Sequence, residues 1–359
     1  MSIQISGTLS LYPTSTAKYP YFSSGDLTSH KAVIFIGGLF NGLLTPPYLV
    51  DLSAALMKAR WTLVQMHWSG AYDGFGTGSL DQDRMEMGCL VKHLRTQGME
   101  KIVLMGHSTG SQDVIHYLSA SSSSYALATG SDPTVSSGKG LPQVDGGILQ
   151  APASDREFNE DPTSPLSGLW LSRLPTATTL VKSARGAEIL DEELCAKLGC
   201  RMSAYRLWSL THVSGDDDYF SSDIPLDPDG RHAHPHSESF GKFSAPALAL
   251  FSENDEFSKL PDVEGLLNRW KEAAGGKLET RVIKGASHAV EQEHARAVLC
   301  SASDDAYLEI HHAVILRLIV MRTIIRIIIG FDSTEDDREQ TRKTTQRQEV
   351  KIHQSGKSA

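Results

Sequence analysis

The stretch from Lys101 to Ser119, KIVLMGHSTGSQDVIHYLS, constrains this chain more than any other. An apolar run of strand length ends in Gly106-His107-Ser108-Thr109-Gly110, and a helical pattern starts directly behind it. A serine between two glycines at a strand-to-helix junction must sit on a sharp turn. Its glycine neighbours let surrounding backbone approach without Cβ clashes. The helix that follows aims its free N–H groups at whatever lies in front of Ser108. Such a turn requires a strand end that faces solvent and a helix that folds back on the sheet, so it points to an α/β layer.

The remaining pattern fits that layer. AVIFI (32–36), TLVQMHW (62–68), GGILQA (146–151), ALALFS (247–252) and TRVIKG (280–285) read as strands. Helical stretches cover 48–59, the segment opened by Ser79 and Gln82 at capping-box spacing and running to about residue 97, and 261–273. Strands alternating with helices predict a mainly parallel sheet with helices on both faces. The Ser/Gly-rich stretch 119–140 reads as a surface loop. The long segment before residue 247 has helical pieces near 165–184 and 186–198, then an acidic, His-rich loop. Inserted at the carboxyl edge of a parallel sheet, it is expected to form a cap, about residues 158–243, over the place where ligands enter. One domain is expected over 1–330, with a disordered charged tail over 331–359.

Composition excludes several function classes. The net charge is −9 and no long basic run occurs, which argues against a nucleic-acid partner. The four cysteines are too few and too widely spaced for a secreted disulfide scaffold, and Cys195 with Cys200 lacks the second pair that a zinc site needs. The opening MSIQISGTLSLYPTS has no basic patch leading into an apolar run, so no secretory signal is read and a cytoplasmic location is expected. Residues 313–329 are strongly apolar but contain Arg317, Arg322 and Arg326. Each Arg costs about 2.5–3.5 kcal/mol at a bilayer centre, so a membrane span is not expected and a terminal helix packed on the body is. The three arginines do not share one helical face.

A serine nucleophile needs a base, and the base needs an acid to orient it. Asp255, in FSENDEF, and His288, in KGASHAV, each follow a strand, which brings both to the edge that carries Ser108. Glu253 and Glu256 compete for the acid's place. The turn Gly37-Gly38-Leu39 follows the strand at 32–36, so the Leu39 and Thr109 N–H groups are the candidate oxyanion hole. Trp68 and Tyr72 lie on a loop that reaches the same edge and are candidate substrate contacts, with a packed loop as the equal alternative. In Ser154-Asp155-Arg156 an Asp–Arg structural pair is expected. The three histidines of HAHPH (His232, His234, His236) lack a nearby carboxylate cluster and read as a solvated loop rather than a metal site. Neither a metal nor another cofactor is expected.

The segments GAYDGFGTGSLDQD (70–83), GHSTGSQD (106–113), ILQAPASDRE (148–157) and GASHAV (285–290), in that order, resemble one fungal branch of the α/β-hydrolases. That branch includes intracellular esterases of fusarinine-type hydroxamate siderophores, and the likeness covers about residues 5–300. It implies an α/β-hydrolase fold, a triad of Ser108, Asp255 and His288, and a small-molecule ester substrate. Any iron would belong to a siderophore substrate, since hydroxamate oxygens are hard ligands suited to Fe(III). The alternatives are a general carboxylesterase or lipase with the same triad, and a binding protein that keeps the fold without turnover. From about Ser301 the chain departs from the single amphipathic closing helix that the likeness implies.

Overall fold

The structure is a computed structural model and describes residues 4–131, 140–164 and 167–290. Two N-terminal strands, β1 (Thr8–Pro13) and β2 (Lys18–Gly25), pair antiparallel, and β2 pairs antiparallel with β4 (Thr62–Met66). The sheet then continues in parallel through β3 (Lys31–Ile36), β5 (Lys101–His107), β6 (Gly146–Gln150), β7 (Ala247–Ser252) and β8 (Leu278–Ile283). The sequence reading left β1 and β2 unassigned. In β1 the apolar pair Leu9 and Leu11 faces solvent and only Tyr12, on the other face, is buried, so its apolar alternation does not mark the face that packs.

Alternation along each strand divides the core. In β3, Ala32, Ile34 and Ile36 face one layer while Val33 and Phe35 face the other. The first layer is filled from α2 (Leu80–Thr96), α3 (Thr109–Ser119) and α9 (Val263–Ala273), and the second from α1 (Leu49–Lys58). Because both faces are covered, the central strands read as unbroken apolar runs. Ser79 accepts the Gln82 N–H at 3.3 Å and opens α2. Gln82 does not return the bond; its side-chain amide donates to Ser69 Oγ at 2.8 Å.

Between β6 and β7 lie α5 (Asp155–Glu160), α6 (Ser167–Lys182), α7 (Glu192–Leu198) and α8 (Ala204–Thr211). Trp170, Leu194, Tyr205 and Trp208 from this segment join Phe75 in a third apolar cluster, separate from the two sheet layers. Part of the stretch read as a surface loop is helical: α4 (Tyr125–Thr129) buries Ala126 and Ala128. Small residues hide such a short helix from a periodicity search. Residues 313–329 and the charged tail lie outside the described residues. Among the described residues no helix is long and apolar enough to cross a membrane.

Candidate active site

Strand β5 ends at His107 and α3 begins at Thr109, which leaves Ser108 alone on the turn with φ 55° and ψ −127°. A non-glycine residue there costs about 1–3 kcal/mol, so its surroundings must hold it. The Ser108 N–H donates to the Gln150 carbonyl at 2.9 Å, and the Ser111 N–H donates to the Ser108 carbonyl at 2.8 Å. Both flanking glycines are required by space. A Cβ on Gly106 would lie 2.0 Å from the Gly110 carbonyl oxygen, and one on Gly110 would lie 2.4 Å from that of Ile36.

Asp255 follows β7 and His288 follows β8. The His288 Nδ1–H is 2.9 Å from both Asp255 carboxylate oxygens, and the Asp255 side chain is wholly buried. The Phe257 N–H also donates to Asp255 Oδ1 at 2.9 Å, which fixes the carboxylate. Both rival acids are turned to backbone. Glu253 accepts the Gly285 N–H at 2.7 Å, and Glu256 accepts the His288 main-chain N–H at 2.9 Å. The imidazole lies between two rings, Phe257 at 4.6 Å and His107 at 4.9 Å between centroids. That second contact places His288 beside the residue preceding Ser108.

The turn after β3 closes over the serine. A Cβ on Gly38 would lie 2.7 Å from Ser108 Cβ and 3.2 Å from its Oγ. The turn is pinned by the Gly38 N–H donating to Asn41 Oδ1 at 3.1 Å and the Asn41 N–H donating to the Gly38 carbonyl at 3.0 Å. The Leu39 N–H makes no hydrogen bond among the described residues. The Thr109 N–H is in the first turn of α3, where no carbonyl one turn back is available to it.

Serine, carboxylate and histidine therefore follow β5, β7 and β8 of a mainly parallel sheet, the arrangement of an α/β-hydrolase fold. Residues 1–304 match the family described as "Protein of unknown function (DUF1749)". The chain belongs to the DUF1749 family. A relative in Schizosaccharomyces pombe, the UPF0613 protein PB24D3.06c, is 33% identical over 290 residues, covering 75% of this chain and 84% of that protein. The "Fusarinine C esterase sidJ" of Aspergillus fumigatus is 30% identical over 325 residues, covering 80% of this chain and 90% of that protein. Among solved structures, "Siderophore hydrolase EstB from Aspergillus fumigatus" superposes with a TM-score of 0.63 at 26% identity, over 87% of this chain and 96% of that one.

Several side chains of this DUF1749 protein sit otherwise than the sequence suggests. Trp68 does not line the site: it is buried in the main core layer, its indole nitrogen against Gly70. Tyr72 is half exposed and braces the turn after β3. Its ring lies over Gly42, its hydroxyl accepts the Leu43 N–H at 3.1 Å, and its own N–H donates to the Asn41 carbonyl at 2.9 Å. Asp155 and Arg156 do not pair. Asp155 accepts from Gln112 Nε2 at 2.9 Å, while Arg156 donates to Asp218 at 2.7 Å and also bonds Asp223. Adjacent helical residues project about 100° apart, so neighbours in α5 reach different partners.

The HAHPH segment is not a solvated loop. His234 stacks on Tyr219 at 3.9 Å and donates from Nε2 to the Asp216 carbonyl at 2.8 Å, His236 packs edge-on against Phe240, and His232 bonds Asp229. Burial pushes His234 down to about 3 and His236 to about 4, so both are neutral and serve packing. Among the described residues no group of three His, Cys, Asp or Glu side chains is placed to hold a metal ion.

Sequence reasoning missed two groups. The first is a buried layer behind α3. Arg206 of α8 donates to both oxygens of Asp217 at 2.6 and 2.8 Å, with Asp83 and Asp113 within its field. Burial pushes the Asp83 carboxyl up to about 8, against the pull of Arg206, and raises Asp113 as well. Three of these aspartates lie on different segments, so no local motif announces them. The second group is His107 with Gln150. Tyr48 OH at 2.9 Å and His107 Nδ1–H at 2.5 Å both donate to Gln150 Oε1, and Gln150 Nε2 donates to the His288 carbonyl at 3.3 Å. Burial first, and His288 next, hold His107 down at about 3, so it stays neutral.

Proposed function

We propose that this protein is a serine esterase that hydrolyses carboxylic ester links of a hydroxamate, fusarinine-type siderophore in the cytoplasm, and so takes part in iron handling. The observation that carries the chemistry is the two-oxygen contact of Asp255 with His288 Nδ1–H beside a serine held on a strained turn. With Nδ1 committed to donating, the neutral ring carries its lone pair on Nε2. That nitrogen takes the Ser108 proton as Oγ attacks the ester carbon. The negative charge that develops on the carbonyl oxygen is met by the Leu39 and Thr109 N–H groups. The C–O bond then breaks, His288 passes its proton to the departing alkoxide, and an acyl-serine remains. Water repeats the sequence: its proton goes to Nε2, its oxygen to the acyl carbon, and Ser108 recovers the proton.

The substrate class rests on the relatives, one named a fusarinine C esterase and another a siderophore hydrolase. The segment over about 158–243 acts as the cap, and remote contacts with a bulky ligand there contribute to transition-state binding. Iron, where present, arrives as part of the substrate.

Incubation with a cyclic hydroxamate triester, followed by mass spectrometry, tests the reading. Linear monomers and dimers are expected. Ser108→Ala should lower kcat by about 10⁴–10⁶-fold, because triad members act as a unit. Rapid turnover of simple lipid esters with no cleavage of the triester would replace the siderophore reading by a general esterase. Neither activity, together with no fluorophosphonate labelling of Ser108, would favour a binding protein.

A further inference from the structure

The last residue of β6 contacts both halves of the proposed triad. Gln150 is buried, and its main-chain carbonyl accepts the Ser108 N–H at 2.9 Å and shares the Ser111 hydroxyl, 3.1 Å away, with the Gly106 carbonyl at 3.2 Å. Its side chain reaches the other half, with Nε2 donating to the main-chain carbonyl of His288 at 3.3 Å. The amide cannot be reversed without loss. A flipped amide would set its oxygen against the His288 main-chain carbonyl, acceptor to acceptor, whereas in the present orientation Oε1 accepts from the Tyr48 hydroxyl and from His107 Nδ1–H. His107 is neutral, and because Nδ1 faces the amide oxygen its single ring proton lies on Nδ1, which leaves the lone pair on the other nitrogen. The same His107 ring packs against the ring of His288.

Resting on the esterase reading, we propose that Gln150 is a positioning residue that sets the distance between Ser108 and His288. Ser108 follows β5 and His288 follows β8, with β6 and β7 lying between those strands. No hydrogen bond among the described residues joins the two directly, whereas Gln150 bonds to both segments. The Asp255 carboxylate sets which way the imidazole faces; the Gln150 amide sets where the loop that carries it rests. A loop freed by about 1 Å loses about 10²-fold in rate even when binding is intact.

Two variants test this, with kcat counted per active site titrated by a fluorophosphonate, so that unfolded protein does not enter the rate. Gln150→Met keeps the volume and loses all three side-chain bonds. Its kcat should fall by about 10–100-fold with KM within about threefold. Gln150→Glu keeps an acceptor for Tyr48 and His107 but can donate to the His288 carbonyl only while protonated. The ratio of its kcat to that of wild type should therefore fall as pH rises, a signature that a merely structural role would not produce. A Gln150→Met rate per titrated site within twofold of wild type overturns the proposal, as does a Gln150→Glu ratio that does not change with pH. Wild-type protein that fails to label at Ser108 would instead overturn the esterase reading, so the two failures are distinct.

Discussion

Gly110→Ala makes the close packing behind the nucleophile measurable. Gly110 lies in the first turn of α3, where the helix passes the end of β3. An added Cβ would meet the Ile36 carbonyl oxygen at 2.4 Å and that of Gly37 at 2.7 Å. Both are backbone atoms, so no side chain can swing aside; helix and strand must separate by about 1 Å to restore van der Waals contact. Overpacking of this kind costs about 1–3 kcal/mol, and the better helix propensity of Ala returns at most about 1 kcal/mol. A net loss of about 1–2 kcal/mol should lower Tm by about 3–6 °C. Activity should suffer more than stability, since the separation moves the Thr109 N–H and the Gly37–Leu39 turn apart, and a displacement of about 1 Å costs about 10²-fold in kcat. Gly168 provides the control. It lies near the start of α6 with nothing within 4 Å of an added Cβ, so Gly168→Ala should stabilise by up to about 1 kcal/mol and raise Tm. Scanning calorimetry with steady-state kinetics on both variants decides the matter. A Gly110→Ala protein with wild-type Tm and kcat within twofold would refute the packing argument.

Asp255→Asn should lower kcat by about 10³–10⁴-fold with little change in KM, because the wrong imidazole tautomer is then favoured. Glu253→Gln and Glu256→Gln remove a charge but keep an oxygen that can accept the same backbone N–H, and should each stay within about tenfold; a larger loss at Glu253 than at Asp255 would reassign the acid. Asp83→Asn concerns stability against pH. The folded carboxyl, pushed up to about 8 by burial, keeps a proton that the unfolded chain releases above its ordinary value of 3.8. Unfolding therefore releases a proton between those values, and the Asp83 contribution, fully present below about pH 4, is lost as pH rises towards 8. Asn matches the neutral acid in shape and does not titrate, so its stability relative to wild type should improve from pH 5 to pH 8 in urea titrations. A difference that stays constant over that range would show that Asp83 is ionised in the folded protein.

The elbow and the parallel strands were legible because their signals are local. The run IVLM at 102–105 is apolar throughout since both faces of β5 are covered, and GHSTG supplies its own spacing. The pairing of Asp255 with His288 follows from a weaker cue, their position just after a strand. The close approach of the Gly37–Leu39 turn to Ser108 follows from the same cue. What failed was the reading of polar side chains away from those edges. Trp68 looked like a pocket residue because it follows a strand, yet its face of the loop packs inward. HAHPH looked solvated because it is polar, yet Tyr219, Phe240 and the Asp216 carbonyl supply partners from distant segments. Arg156 likewise finds Asp218 rather than its neighbour. Partners separated by dozens of residues leave no periodicity to detect, so a buried polar network is the part of a fold that a single sequence conceals most completely.

Strain and support at Ser108 also balance in a way that explains why the site depends on β6. The turn costs about 1–3 kcal/mol by itself. The Ser108 N–H donates to the Gln150 carbonyl and the Ser108 carbonyl accepts the Ser111 N–H, each bond worth about 0.5–1.5 kcal/mol net, which is enough to offset that cost. The geometry is thus maintained by contacts that substrate never touches. Substrate binding then has no part of its interaction energy consumed in forming the turn, and the energy is left for the transition state. The same economy governs His288, whose imidazole is set by Asp255, flanked by Phe257 and His107, and whose backbone is held by Glu256 and Gln150. Ser108 and His288 of the proposed triad are each fixed from at least two directions without any ligand. Damage to a support should therefore appear in kcat, with KM nearly unchanged, wherever the supporting residue lies out of reach of substrate.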